Sequence, residues 1–159
     1  MSRIIGKHIL APLTTAALEV TGAANPFNAN GTAAVLILET INYQSGITYN
    51  VGTGEATIIT KSLYDLTVNL SYRGAAGNDE RLSIIVKVNG TPKYTFHANN
   101  FLSNDGGGGT HIVYTGILPG MRLDVSNIVT VEVQRTNGGD NVAIYEPESI
   151  MILKQSGAW

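Results

Sequence analysis

The chain has 159 residues, a net charge of −2 and no cysteine. This length is typical of about one domain. The near-neutral charge offers no basic field for nucleic acid or for an anionic membrane surface. The absence of cysteine excludes a disulfide framework and cysteine-ligated zinc, and is typical of a protein that matures in a reducing cytoplasm. The longest apolar run, residues 35–38, is far too short to span a membrane.

Charged residues make up only 14% of the chain, compared with about 25% in ordinary soluble domains. A small domain needs surface charge to stay soluble as a monomer. The composition therefore favours a surface that is covered by further copies of the chain or by a partner. The alternative is an exposed surface made soluble by the abundant Asn, Thr, Ser and Gly residues.

Residues 1–31 differ from the rest of the chain, because they are rich in Ala and Thr and end in the turn-forming run GAANPFNANG. Pro12 and Glu19 interrupt the apolar stretch, so we expect no cleavable signal peptide. The few apolar residues cannot bury one another, which predicts an attachment arm rather than a domain. Within it, residues 13–20 fit either two helical turns or an extended segment. The candidate attachment residues are Ile4, Ile5, Ile9, Leu10, Leu13 and Leu18.

Residues 32–159 read as short strands separated by turns. In residues 64–72, apolar or aromatic residues alternate strictly with polar ones, as in a strand with one buried face. Val88-Asn89-Gly90-Thr91 predicts a hairpin turn, because Asn and Gly both tolerate positive φ. The whole pattern predicts an all-β sandwich or barrel. The other predicted strands are residues 35–41, 55–60, 82–88, 93–97, 111–118, 121–125, 128–134, 141–145 and 149–154.

The segment VGTGEAT, residues 51–57, has glycines spaced as in a phosphate-binding loop. Such a loop requires a following helix whose N-terminus faces the phosphate. Here the chain continues as Glu-Ala-Thr-Ile-Ile-Thr, which favours a strand, and no Gly-Lys-Thr/Ser follows the glycines. Residues 51–54 are therefore predicted to be a turn that joins two strands.

The same region resembles the opening of the C1q/TNF-like jelly-roll superfamily. It contains, in order, NYQSG (42–46), YN (49–50), TGEAT (53–57) and SLYDL (62–66). The family commonly has N-x-G, Y-[DN], T-G-x-F-T and G-x-Y-x-F in this order. Later landmarks are also similar, and the resemblance covers roughly residues 33–155. These landmarks are Val88-Asn89-Gly90, Leu118-Pro119-Gly120 and Ser149-Ile150-Met151-Ile152-Leu153.

The sequence departs from the family pattern at several of these landmarks. Met121 occupies the position of a family Asp, so a binding site that depends on that Asp is not carried over. The other departures are Ser62 in place of Gly, and Ala56, Leu66 and Met151 in place of Phe.

The resemblance implies a ten-stranded jelly-roll sandwich over residues 32–159, preceded by the short N-terminal arm. It also implies a homotrimer in which one sheet packs around a threefold axis. Tyrosine suits such an interface, because it combines apolar area with a hydroxyl that needs one partner. The alternative for each tyrosine is ordinary core packing. The interface candidates are Tyr64, Tyr72, Tyr114 and Tyr145.

No pattern in the chain indicates an enzyme or a cofactor site. His8, His97 and His111 are isolated and lack the spacing of metal ligands, and no serine lies in a G-x-S-x-G elbow. The acidic glycine-rich loops around Asp105 and Asp140 could supply oxygen ligands to calcium, but neither has the spacing of an EF-hand. Their alternative role is simply to form turns.

These features predict a non-enzymatic virion structural protein from a bacteriophage: a trimeric capsid decoration, head fibre or tail-associated knob. The arm would attach it to a capsid or tail protein, and assembly would occur in the host cytoplasm. The chain has no collagen-like repeat and no cysteine, which argues against a secreted animal C1q protein or TNF cytokine. The alternative is a trimeric module that binds a host receptor or surface glycan through its apical loops, where trimeric display would provide avidity.

Overall fold

The computed structural model describes residues 15–23, 26–27, 32–74, 81–98, 111–137, 142–144 and 149–158. These residues form thirteen strands, where ten were expected, and every strand pairing is antiparallel. None of the described residues belongs to a helix long and apolar enough to cross a membrane. The strands are β1 (Ala17–Ala23), β2 (Pro26–Phe27), β3 (Ala34–Val35), β4 (Leu38–Ser45), β5 (Ile47–Asn50), β6 (Glu55–Ile58), β7 (Ser62–Gly74), β8 (Arg81–Val88), β9 (Thr91–Ala98), β10 (His111–Leu123), β11 (Ile128–Asn137), β12 (Val142–Ile144) and β13 (Ile150–Gly157).

The strands form two sheets that pack face to face. Sheet A has the order β10–β7–β13–β1–β4, with β12 and β2 continuing beside the far end of β7. Sheet B has the order β5–β6–β11–β8–β9, and β3 also pairs with β11. This two-sheet antiparallel arrangement confirms the predicted all-β sandwich.

The core lies between the sheets and follows from the alternation along each strand. Sheet A contributes the apolar half of the pattern in residues 64–72, since Leu66, Val68 and Leu70 are fully buried. Sheet B contributes Ile84 and Val86 of β8 and the three valines of β11. Further buried residues include Leu18, Val20, Leu38, Ile47, Ala56, Ile58, Met121, Leu123, Met151 and Leu153.

β1 corrects the predicted boundary between arm and domain. This strand lies inside sheet A, where it pairs with β13 on one side and β4 on the other. Leu18 and Val20 are 0% exposed, and Leu18 therefore belongs to the core rather than to an attachment arm. The domain includes residues 17–23, which adopt the extended alternative. Ile4, Ile5, Ile9, Leu10 and Leu13 lie outside the described residues, so their role in attachment stays a prediction.

Residues 51–54 of the VGTGEAT segment form the turn between β5 and β6, as predicted. The backbone N–H groups of Thr53 and Gly54 both donate to the carbonyl oxygen of Asn50, at 3.2 and 2.8 Å. Gly54 has φ +70°, and a Cβ at this position would lie 2.8 Å from the carbonyl oxygen of Leu36. The glycine is needed because the turn packs closely against the chain where it passes from β3 in sheet B to β4 in sheet A.

The predicted hairpin at residues 88–91 is also present. Asn89 and Gly90 have φ of 52° and 74°, as a two-residue turn between β8 and β9 requires. The predicted strands 111–118 and 121–125 instead form the single strand β10, whose pairing with β7 shifts between Leu118 and Met121. At this shift, the backbone N–H of Gly120 donates to Asp65 Oδ1 at 2.8 Å.

Candidate assembly interface

Of the four tyrosines predicted for a trimer interface, Tyr64 and Tyr114 face the core rather than the outward side of sheet A. Tyr64 is 0% exposed, because it is in phase with the inward-facing leucines of β7. Its hydroxyl donates to the carbonyl oxygen of Thr60, and burial raises its pKa above the usual value. Tyr114 is half-buried, packs against the core and pairs with Leu70. Tyr64 therefore follows the alternative of ordinary core packing, and the interface role of Tyr114 stays a prediction. The side chains of Tyr72 and Tyr145 lie outside the described part of the chain.

The outward face of sheet A is instead formed by the polar half of the β7 alternation and its neighbours. Thr67 and Asn69 point away from the core, between the buried residues of β7. Pairing places them beside residues of β10 on one side and of β13 on the other. These outward residues form a continuous surface across three strands, which we call the uncharged patch. It consists of Thr67, Asn69, Thr115, Ile117, Ile150 and Ile152.

The uncharged patch combines exposed apolar area with short polar side chains. Ile117 is 62% exposed, which is the largest exposure among the large hydrophobic residues of the described chain. Thr67 lies next to it in register, and Ile152 follows on the other side of Thr67. Short side chains on a sheet allow another surface to approach closely, and the isoleucines supply apolar area to bury.

Asn69 carries an unsatisfied acceptor at the centre of the uncharged patch. Its Oδ1 atom is inaccessible to solvent and has no hydrogen-bond partner among the described residues. An unpaired buried polar atom costs about 1–3 kcal/mol. Asn69 lies between Thr115 and Ile150 in register, so rotation of its side chain toward the outward surface would bring the amide within reach of a donor from outside.

Charged residues on this side of sheet A are placed around the uncharged patch rather than inside it. Glu19 follows Ile152 across the sheet toward β4, and Asp65 and Lys154 face each other two residues further along β7 and β13. Asn42 of β4 donates to Glu19 Oε1 at 3.1 Å. Tyr43, the register partner of Glu19, is 53% exposed. The uncharged area is thus bordered by polar residues, which is the usual anatomy of a protein interface.

The outward face of sheet B has a different character. Lys87 of β8 and Glu132 of β11 form an ion pair of 2.5 Å near its centre. Glu55, Thr57 and Thr130 continue the face on β6 and β11. The described outward side chains of this sheet therefore carry the charge that the uncharged patch lacks.

The described residues show no cluster suited to metal binding. No group of three or more His, Asp or Glu residues lies close enough together in these segments to hold an ion. His97 Nδ1 is 3.0 Å from Ser83 Oγ, a contact across the β8–β9 pair. Asp105 and Asp140, the calcium candidates, lie outside the described residues, as does His8, so calcium binding stays a prediction.

The sequence pattern contains the β7 residues of the uncharged patch but does not mark them as a site. Thr67 and Asn69 belong to the polar half of the alternation in residues 64–72. The tyrosines predicted for the interface in this strand belong to the apolar half. The alternation itself could have identified them. Tyr64 lies an even number of residues from Leu66 and Leu70, so it points to the same side of the strand as these leucines. The contribution of β10 and β13 depends on long-range strand pairing, which a local pattern does not show.

Comparison with known proteins identifies the fold. No protein-family profile matches the sequence, and no curated protein matches it. Among solved structures, Eiger TNF from S. frugiperda is similar with a TM-score of 0.66 and 12% identity, covering 92% of this chain and 95% of that one. The crystal structure of murine APRIL is similar with a TM-score of 0.57 and 9% identity, covering 89% and 99%. The chain therefore has a TNF-like jelly-roll fold.

Proposed function

We propose that this protein is a non-enzymatic structural module that assembles as a homotrimer through the uncharged patch. The observation that supports this most directly is Asn69, whose Oδ1 atom is buried and unpaired in the middle of that outward-facing surface. In an assembly, the Asn69 side chain would rotate toward a donor of a second copy, which would satisfy this atom and remove the cost of leaving it unpaired.

The composition of the patch supports the same proposal. Its six residues are Thr, Asn and Ile, so covering it requires no charge to leave water. Burial of Ile117, which is 62% exposed in the single chain, would contribute apolar area. The low charge of the whole chain, 14%, fits a protein that covers part of its surface by self-association.

We further propose that this module belongs to a virion, as a capsid decoration, head fibre or tail knob. The support comes from the sequence alone, namely the lack of cysteine and the apolar residues before β1 that could attach to a capsid or tail protein. Neither Eiger TNF nor murine APRIL is a virion protein by name. The alternative role in receptor or glycan binding through the apical loops depends on Asn104, Asp105 and their neighbours, which lie outside the described residues.

Sedimentation equilibrium of the full chain at micromolar concentration tests the assembly. We expect a single species of three times the chain mass of 16.9 kDa. A species with the mass of one chain over this range would refute the proposed trimer. For the virion role, the full chain and a variant lacking residues 1–14 would be mixed with particles that lack this protein. Loss of particle binding by a truncated chain that remains trimeric supports attachment through the arm, and retained binding contradicts it.

A further inference from the structure

A cleft of about 600 Å³ opens at the edge of the sandwich, apart from the uncharged patch. One wall is the β8–β9 hairpin, and the other is the last part of β10 with the turn that follows it. Its volume lies within the range of about 300–1,000 Å³ that is common for small-molecule sites. None of the described residues that line it belongs to the uncharged patch.

The cleft has a one-sided charge. Lys93 and Arg122 line it, and the described lining includes no carboxylate. The nearby Asp124 is paired with Lys61 at 3.1 Å, outside the lining. In a chain with a net charge of −2, two cations around one cavity form a local field that favours an anionic ligand.

Two asparagines in the cleft are oriented so that they present donors. The backbone N–H of Ile128 donates to Asn89 Oδ1 at 2.8 Å, and the backbone N–H of Asp124 donates to Asn127 Oδ1 at 2.9 Å. Because each amide oxygen accepts from the backbone, the orientation of each amide group is fixed. The NH₂ groups are then the parts of these side chains that remain to bind a ligand. The cleft is consequently rich in donors and suits a ligand rich in acceptors.

Tyr94 adds an aromatic surface to this polar site. It lines the cleft and is 42% exposed, although its register partner Val86 is fully buried. An exposed tyrosine offers an apolar ring face and a hydroxyl at the same position. A sugar ring, with C–H groups on its face and hydroxyls on its rim, matches this combination.

The edge of β9 disfavours an extended peptide as the occupant. Peptides commonly bind a sheet edge by adding a strand, which uses the backbone N–H groups of that edge. Pro92 lies next to Lys93 and has no N–H, and the pairing of β9 with β8 shifts between Val86 and Lys87 at the same level. Proline and strand irregularity both block strand addition. A compact ligand therefore fits this site better than a β-strand.

We propose that this cleft binds a sugar unit that carries a carboxylate, such as a uronic acid of an acidic surface polysaccharide. Lys93 would bind the carboxylate, Arg122 would add positive charge beside it, the two amides would donate to ring or hydroxyl oxygens, and Tyr94 would pack against the ring. This ligand site goes beyond the proposed assembly, since the cleft is formed by a single chain.

Isothermal titration of the full chain tests the proposal with an unsulfated disaccharide ending in glucuronic acid and with its carboxyl-reduced form. We expect the acid to bind once per chain and the reduced form to bind at least about tenfold more weakly, because a charge-assisted contact is lost. Lys93→Gln is expected to weaken binding of the acid about tenfold as well. Lys154→Gln is the matched control, since it removes the same charge at an exposed position outside the lining, and should leave the affinity unchanged.

Equal affinity for the acid and its reduced form, no binding of either, or no effect of Lys93→Gln would each overturn the proposal. A tetraglutamate peptide that binds more tightly than the disaccharide, and loses affinity in Lys93→Gln, would replace the sugar with an acidic peptide. Circular dichroism checks that each variant is folded, and Tyr94→Ala provides a second lining variant that leaves the charge unchanged. Sedimentation equilibrium on the same samples gives the mass of the assembled protein. A trimer that does not bind the acid shows failure of this site, and a monomer shows failure of the assembly.

Discussion

The two outward faces of the sandwich are built on the same strand alternation but carry different chemistry. On sheet B, the pair Lys87–Glu132 puts two charges near the centre of the face. On sheet A, the uncharged patch carries none, and Asn69 holds an acceptor that nothing in the described residues satisfies. Identical backbone geometry thus supports one face suited to water and one suited to another protein surface.

This difference locates the low charge of the chain within the fold. A chain with 14% charged residues could have these charges spread evenly over its surface. The structure shows instead that the outward residues of β7, β10 and β13 are uncharged over a continuous area, while β8 and β11 carry an ion pair. The two faces can therefore be tested separately by matched substitutions.

A charge placed in the uncharged patch should have the largest effect on assembly. Thr67→Lys would bring like charges together in a covered surface, which costs several kcal/mol, so we expect the trimer to dissociate at least about 100-fold more readily. Thr57→Lys is the matched control on sheet B, because Thr57 is also a half-buried outward threonine on an inner strand. Sedimentation equilibrium measures both variants. Equal dissociation of the two, or none in either, would remove the distinction between the faces.

Loss of apolar area in the patch should have the next largest effect. Ile117→Ser removes a side chain that is 62% exposed, so the single chain loses little stability while the assembly loses buried apolar area. Full burial of such a side chain contributes about 1.5–3 kcal/mol, which predicts dissociation at least about tenfold more readily. Val125→Ser, at a turn position that is 56% exposed, is the control and should leave the trimer unchanged. If Ile117→Ser left the dissociation of the trimer unchanged, the contact between copies would not involve Ile117.

The orphaned acceptor of Asn69 should make a smaller contribution. Asn69→Ala removes an unpaired buried acceptor together with some side-chain packing, so we expect the stability of the single chain not to fall. If a second copy donates to this atom, the trimer should dissociate about fivefold more readily, as for one lost hydrogen bond. Asn42→Ala is the contrasting variant, because Asn42 already donates to Glu19 within the chain at 3.1 Å. It should affect unfolding rather than association. A trimer equally stable with Asn69→Ala would show that Oδ1 finds no donor there.

The sequence predicted the sandwich and its turns because these depend on local pattern. Alternation in residues 64–72 predicted β7, and Asn89-Gly90 predicted the hairpin from backbone preference alone. Gly54 likewise has a positive φ that the turn requires. In each case, the physical cause lies within a few residues of the feature.

The sequence could not predict which strands meet. The local pattern of β1 indicates an arm, because its partners at residues 38–45 and 150–154 are distant and only pairing with both buries Leu18. Tyrosine suits a core and an interface equally. Only the fact that Tyr64 points to the same side of β7 as the buried leucines decides for the core. The uncharged patch combines three strands, and the cleft combines the β8–β9 hairpin with β10. Both arise from tertiary packing rather than from any contiguous motif.

The smallest expected effect belongs to the ion pair on sheet B. Glu132→Gln removes the ion-pair partner of Lys87. The Lys87 side chain is only 24% exposed, so solvent screens the pair incompletely and we expect the free energy of unfolding to fall by about 1 kcal/mol. Association should not change, because this face is not covered in the proposed trimer. Urea unfolding at a fixed chain concentration measures the first quantity, and sedimentation measures the second. A double-mutant cycle with Lys87→Met isolates the pair from other consequences of each substitution. If Glu132→Gln dissociated the trimer as readily as Asn69→Ala, both faces would take part in assembly, and their difference in charge would not mark the interface.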